Sequence, residues 1–228
     1  MSKPTRIALV GATGLIGMSL IRLAVTRPDI RIIGISRRET VLPPGARMEM
    51  LVAEPSGWGD AIAAANADVL VCALGTTWRK AGKDEAAFRA VDQDLVLACG
   101  KAAKAAGVRQ MIAVSSVGAD PMARNFYLRV KGETEQALGK LGIARLDILR
   151  PGLLRGPREE LRPAEKLGMI ASPLADLLMH GSYRKYRSIR AETMAEAIVD
   201  LTREKMAGRF VFEHDAILRA ARKGQSVL

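Results

Sequence analysis

Residues 6–17 read Arg-Ile-Ala-Leu-Val-Gly-Ala-Thr-Gly-Leu-Ile-Gly, an apolar run of strand length that passes through three evenly spaced glycines straight into a helical pattern. Few features constrain a fold as tightly. A strand, a glycine turn and a helix in immediate succession form the first half of a βαβ unit, and that context makes a common glycine pattern specific. Gly11 permits the tight turn, Gly14 lets the backbone approach a pyrophosphate, and Gly17 allows the helix to pack closely on the strand. The free N–H groups and the positive end of the helix dipole then hold phosphate.

The rest of the chain repeats this alternation. Apolar, β-rich runs are expected as strands at Arg6–Val10, Ile30–Ile35, Met48–Val52, Asp68–Leu74, Arg109–Val114 and Arg145–Leu149. Helices are expected at Leu15–Thr26, Trp58–Ala65, Asp84–Ala106 and Arg124–Leu141. Strands apolar on both faces and joined by helices imply a parallel sheet covered on both sides, and right-handed crossovers make it a doubly wound α/β sheet of Rossmann type. At 228 residues the chain is expected to be a single domain, with a core over about 1–150 and a substrate-side cap over about 151–228. Within that cap, Arg150–Pro163 reads as a loop, Ala164–Met179 and Ala191–Arg203 as helices, Arg209–Glu213 as a strand, and the terminus as a helix.

Composition narrows the chemistry. Two cysteines, Cys72 and Cys99, are too few for a disulfide framework and are expected to be buried thiols. Two distant histidines, His180 and His214, supply poorly either a zinc site or a Ser-His-Asp site, so no metal is expected. The formal charge of +11 is spread along the chain, with modest clusters at Tyr183–Arg190 and Arg219–Lys223, and no nucleic-acid-binding motif accompanies it; nucleic acid is not expected as a partner. No apolar run approaches the roughly 20 residues that cross a bilayer, and the N-terminus lacks a signal-peptide pattern. The expectation is a cytoplasmic protein with no membrane association.

Two further positions carry function. Where nicotinamide-binding folds that use NAD place an Asp or Glu after the second strand, this chain has Ile35-Ser36-Arg37-Arg38. A carboxylate repels a ribose 2′-phosphate and a guanidinium binds it through paired donors, so Arg37 and Arg38 predict NADPH (NADP). Tyr127 and Lys131, four apart in a helical stretch, share one face. A free tyrosine ionises near pH 10, and a neighbouring ammonium favours the phenolate and makes acid–base work feasible at neutral pH. Upstream, Val114-Ser115-Ser116 ends a strand on the same side of the sheet, and one of the two serines, Ser116 in preference to Ser115, is expected to polarise a substrate carbonyl.

Cys72-Ala73-Leu74-Gly75-Thr76-Thr77 with Lys80-Ala81-Gly82, Ser115-Ser116-Val117-Gly118-Ala119-Asp120, Tyr127-Leu128-Arg129-Val130-Lys131-Gly132-Glu133 and Leu149-Arg150-Pro151-Gly152-Leu153-Leu154 occur in that order. Together they resemble the short-chain dehydrogenase/reductase superfamily, in its atypical Tat-interacting-protein-like oxidoreductase branch. The resemblance spans nearly the whole chain and is densest between Asp68 and Gly168. It implies NADPH held by Thr13, Gly14, Leu15 and Ile16, by Arg37 and Arg38, by Leu74 and Gly75, and by Tyr127 and Lys131, with further contacts near Leu154 and Arg162. It also implies that Tyr127 moves the proton.

The function expected is an NADPH-dependent oxidoreductase acting on a small carbonyl or alcohol substrate. A regulatory protein that senses NADPH through protein partners, with little turnover, is the alternative; the intact Tyr127, Lys131 and serine pair favours the enzyme. A nucleotide-sugar epimerase would need a larger C-terminal lobe. The substrate pocket is expected over Pro121–Phe126 and Gly152–Met179, without a diagnostic motif, and a homodimer through the faces of Asp84–Ala106 and Arg124–Leu141 is an expectation of the superfamily.

Overall fold

The computed structural model describes residues 3–46, 48–156, 176 and 179–225. Its strands are apolar on both faces because both faces are covered. In β1 (Thr5–Val10), Ile7 and Leu9 face one layer while Ala8 and Val10 face the other, and all four are fully buried. The same alternation runs through β2 (Ile30–Ser36), β4 (Val69–Cys72), β5 (Gln110–Val114) and β6 (Arg145–Leu149).

With β3 (Glu49–Val52) and β9 (Gly208–Phe212) these strands form one seven-stranded sheet in the order β3-β2-β1-β4-β5-β6-β9. Every pairing in it is parallel. The chain winds outward from β1 to β3, then returns to lay β4 on the other side of β1. The order reverses at that point, and the carboxyl ends of β1 and β4 open the crevice in which doubly wound folds bind ligands.

Helices α1 (Leu15–Ala24), α6 (Ala191–Leu201) and α7 (His214–Gln225) cover one face. On the other lie α2 (Trp58–Ala64), α4 (Val96–Ala105) and α5 (Phe126–Gly139). The helix expected over Asp84–Ala106 is instead three pieces: α3 (Glu85–Arg89), a π-helical segment (Ala90–Leu95) and α4. Neither glycine nor proline marks the break. Asp92, inside the π segment, is buried, and π turns recur at functional sites.

The segment after Arg150, expected as a cap, enters the main layers in much of its described length. β9 continues the sheet beyond β6, and Met194, Ile198 and Ile217 join the same buried cluster as Ile7 and Leu9. A boundary near residue 150 therefore divides one continuous core. The short strands β7 (Leu154–Arg155) and β8 (Ile189–Arg190) pair above it. The helix expected near Ala164–Met179 lies almost wholly outside the described residues, as does Arg162. No described helix is long and apolar enough to cross a membrane.

Candidate functional site

The glycine turn sits at the switch point, and its glycines divide the work by steric need. Gly11 has φ +89°, and a Cβ there would lie 2.6 Å from the carbonyl carbon and oxygen of Ala73, just past the end of β4. A Cβ on Gly17 would lie 2.3 Å from the Gly11 oxygen and 2.8 Å from Ala12 Cα. The third glycine thus seats α1 on the turn itself, rather than on the strand as its spacing suggested. Gly14 is different: its backbone is extended (φ −76°, ψ 166°), its N–H donates to the Gly11 oxygen at 3.0 Å, and a Cβ would stand 3.3 Å from that oxygen.

Gly14 heads α1 with no side-chain cap and no acidic residue in the first turn. Helix N-termini leave backbone donors unsatisfied, and these attract anions. The site fits a dinucleotide pyrophosphate on that observation together with the crowded glycine cradle. Thr13 is exposed at the tip, Leu15 is half-buried and Ile16 is buried in the core, so from Ile16 the site can draw only on backbone. A Cβ on Gly156 would lie 2.8 Å from Leu15 Cδ1, so the chain leaving β7 and Leu154 passes the head of α1.

At the end of β2, the Ser36 hydroxyl donates to the Arg38 carbonyl at 2.5 Å and turns the chain. Arg37 and Arg38 are exposed beyond it, and among the described residues neither guanidinium has a side-chain hydrogen bond or ion pair.

Across the crevice, Asn125 starts α5 by accepting the Leu128 N–H at 3.2 Å. Tyr127, in the first turn, is 36% exposed. Lys131, one turn on, is buried, and its Nζ lies 2.7 Å from Oδ1 of Asp92, itself 1% exposed. The other Asp92 oxygen accepts the Thr76 N–H at 2.7 Å. One buried carboxylate thereby ties α5 to the Leu74-Gly75-Thr76 segment that continues β4. Sequence reasoning missed Asp92. A signal existed: Phe88, Asp92, Val96, Cys99 and Ala103 share one helical stripe, and all are buried. A carboxylate on an apolar stripe calls for an ionic partner.

The two serines part company. The Ser115 hydroxyl donates to Oε1 of buried Glu135 at 2.5 Å, and Arg150 binds the same carboxylate at 2.5 Å through Nη2. This network joins the ends of β5 and β6 to α5. The Ser116 hydroxyl makes only a long contact, 3.4 Å to the Val117 carbonyl, and is half-buried. Of the pair, Ser116 is the one free to meet a ligand. Glu135 was also missed: its spacing of four from Lys131 repeats that of Tyr127, which marks the face without marking the partner.

Both cysteines are free and buried. Burial pushes the Cys72 thiol up to about 11 and raises that of Cys99 as well. Among the described residues, no group of three or more His, Cys, Asp or Glu side chains is placed to hold a metal ion.

A parallel doubly wound sheet, a glycine turn at its switch point and a Tyr-x-x-x-Lys helix across the crevice define a dinucleotide-binding protein of the atypical short-chain dehydrogenase/reductase type. Residues 11–168 match the NAD(P)H-binding family model, and the chain belongs to that family. Protein fmp52, mitochondrial, of Emericella nidulans is 37% identical over 185 residues, 75% of this chain and 79% of that protein. Protein HTATIP2 of Rattus norvegicus is 47% identical over 100 residues, 44% of this chain and 40% of that protein. Among solved structures, UDP-glucose 4-epimerase of Thermotoga maritima superimposes with a TM-score of 0.69 at 12% identity, over 97% of this chain and 82% of that one. WbmG of Bordetella bronchiseptica, in complex with NAD, gives 0.68 at 18% identity, over 99% of this chain and 79% of that one. At such identities these two establish the fold alone.

The relatives correct one expectation. Fmp52 proteins from several fungi are named mitochondrial, so the cytoplasmic reading does not stand. It rested on lacking an apolar span and a secretion signal, and neither lack separates the cytosol from an organelle's interior.

Proposed function

We propose that this protein is an NADPH-dependent oxidoreductase for small carbonyl or alcohol substrates, in which Tyr127 exchanges the proton. The observation that carries the reading is the buried Lys131 ammonium, fixed by Asp92 one helical turn from a half-exposed tyrosine. In this reading Lys131, on the same helix face as Tyr127 and anchored by Asp92, supports the proton exchange of the tyrosine. Bound NADPH would supply the hydride. The glycine turn and the head of α1 would hold its pyrophosphate, Arg37 and Arg38 its 2′-phosphate, and Lys131 with the Leu74–Gly75 backbone its nicotinamide half. Ser116 would donate to the substrate oxygen, while Ser115 keeps the strand end in place through Glu135.

Tyr127→Phe tests the assignment. The ring stays and one hydroxyl goes, so folding and cofactor affinity should hold while kcat on an active carbonyl substrate falls by about 10²–10⁴-fold. Full activity in that variant would refute the role of Tyr127. If no carbonyl or alcohol turns over, yet NADPH changes a protein partner's affinity equally in both forms, the protein is a sensor.

A further inference from the structure

The chain has two Trp, three Tyr and four Phe, and four of these rings gather at the mouth of the crevice. Phe88 is their buried hub, with ring centroids of Trp78 at 6.4 Å, Phe126 at 5.7 Å and Tyr127 at 5.8 Å. Trp78 also meets Phe126 edge-on at 5.4 Å. A cluster made only for stability would turn its largest ring inward, yet Trp78 remains 41% exposed, and Tyr127, which shares Phe88 with it, 36% exposed. Phe126 offers little to a ligand, because the guanidinium groups of Arg89 and Arg129 lie over its ring at 5.4 and 5.7 Å. The accessible aromatic surface therefore belongs to Trp78 and Tyr127.

Trp78 is also held in place. Its carbonyl accepts the Lys83 N–H at 2.9 Å, the Thr77 carbonyl accepts the Ala81 N–H at 2.9 Å, and Thr77 Oγ1 accepts the Lys80 N–H at 3.1 Å. Closing the loop puts Lys83 at φ +62°, a conformation that side chains other than glycine adopt at a cost. A tight, strained loop presenting an exposed indole that packs on Phe88, as the Tyr127 ring also does, is a preorganised surface, and such surfaces bind without paying to be ordered.

We propose that Trp78 and the Tyr127 ring form an aromatic subsite that takes a flat, conjugated carbonyl compound, an aryl ketone or aryl aldehyde, with its carbonyl towards the Tyr127 hydroxyl. Rings stack offset or edge-on in preference to saturated groups of the same size, because the electron-rich face of one meets the positive edge of another. Trp78 is thus the specificity-determining residue; that the bound compound is also turned over rests on the function proposed above.

The probes are acetophenone and cyclohexyl methyl ketone, alike in size but only one flat and aromatic. Equilibrium dialysis against the full chain should find acetophenone bound about 3–10-fold tighter, the scale of an aromatic pair. Trp78→Leu should erase that preference and Trp78→Phe should keep most of it, with circular dichroism reporting that both variants fold. Intrinsic emission gives a second reading. Trp58 is buried, with its indole N–H donated to the Ala53 carbonyl at 2.9 Å, so quenching by acetophenone should come from Trp78 and vanish in Trp78→Phe. Equal binding of the two ketones by the unaltered protein overturns the proposal, as does a preference that survives Trp78→Leu. If the dialysis preference behaves as expected and no carbonyl or alcohol is turned over, the subsite stands and the oxidoreductase reading falls. If both are turned over with the same kcat/KM, the subsite falls and the oxidoreductase reading stands.

Discussion

Removing the carboxylate of Asp92 should destabilise the protein more than removing any exposed acid. In Asp92→Ala, the buried Lys131 loses its partner at 2.7 Å, and the Thr76 N–H loses its acceptor. Breaking a buried ion pair from one side costs about 3–5 kcal/mol, because the remaining charge is left desolvated. An orphaned amide by itself costs about 1–3 kcal/mol, and the two losses overlap because one carboxylate serves both groups. For a domain of this size each kcal/mol moves Tm by about 2–4 °C, so a fall of about 6–20 °C is expected. Urea unfolding followed by circular dichroism measures the free energy directly. The companion Asp92→Leu/Lys131→Met removes both charges at similar volume and should recover much of the loss, since buried pairs are often replaced by apolar residues at little cost. A loss below about 1 kcal/mol in Asp92→Ala, the scale of a solvent-screened surface pair, would refute the buried bridge.

Three further outcomes follow from the site. Gly17→Ala should fold poorly, its Cβ falling 2.3 Å from the Gly11 oxygen, whereas Gly14→Ala should fold and lose dinucleotide affinity; calorimetric titration and circular dichroism together distinguish them, and a well-folded, stable Gly17→Ala would contradict the packing. Replacing Arg37 and Arg38 together by Ala should weaken NADPH by about 1.5–3 kcal/mol per lost charge-assisted contact, less at high salt, and leave NADH unchanged. Equal affinity of the unaltered protein for NADPH and NADH would remove their assigned role. Because burial lifts both thiols, Cys72 to about 11, neither should react with a thiol reagent at neutral pH until the protein is unfolded; labelling of the native protein would show that a cysteine is accessible.

The alternation of strands and helices, the glycine turn and the position of Arg37 and Arg38 at a strand end were all legible in the chain. Each depends on local periodicity or on short-range sterics, which a window of a few residues contains. Tyr127 and Lys131 were legible for the same reason, being one helical turn apart. The partners of the site were not. Asp92 lies on a buried helical stripe, but that its carboxylate meets Lys131 on α5 and the Thr76 amide past β4 depends on how those elements cross it. Ser115 and Ser116 are adjacent and identical in sequence, and what separates their roles is that Glu135, twenty positions on, approaches one hydroxyl and is held there by Arg150, just past the end of β6. The expected cap likewise became part of the core because β9 had an open sheet edge beside β6 to pair with. Local sequence determines which elements form and which chemical groups they carry. Which buried charge meets which partner depends on how those elements cross, since a desolvated carboxylate is tolerated only where the fold delivers a cation or a donor to it.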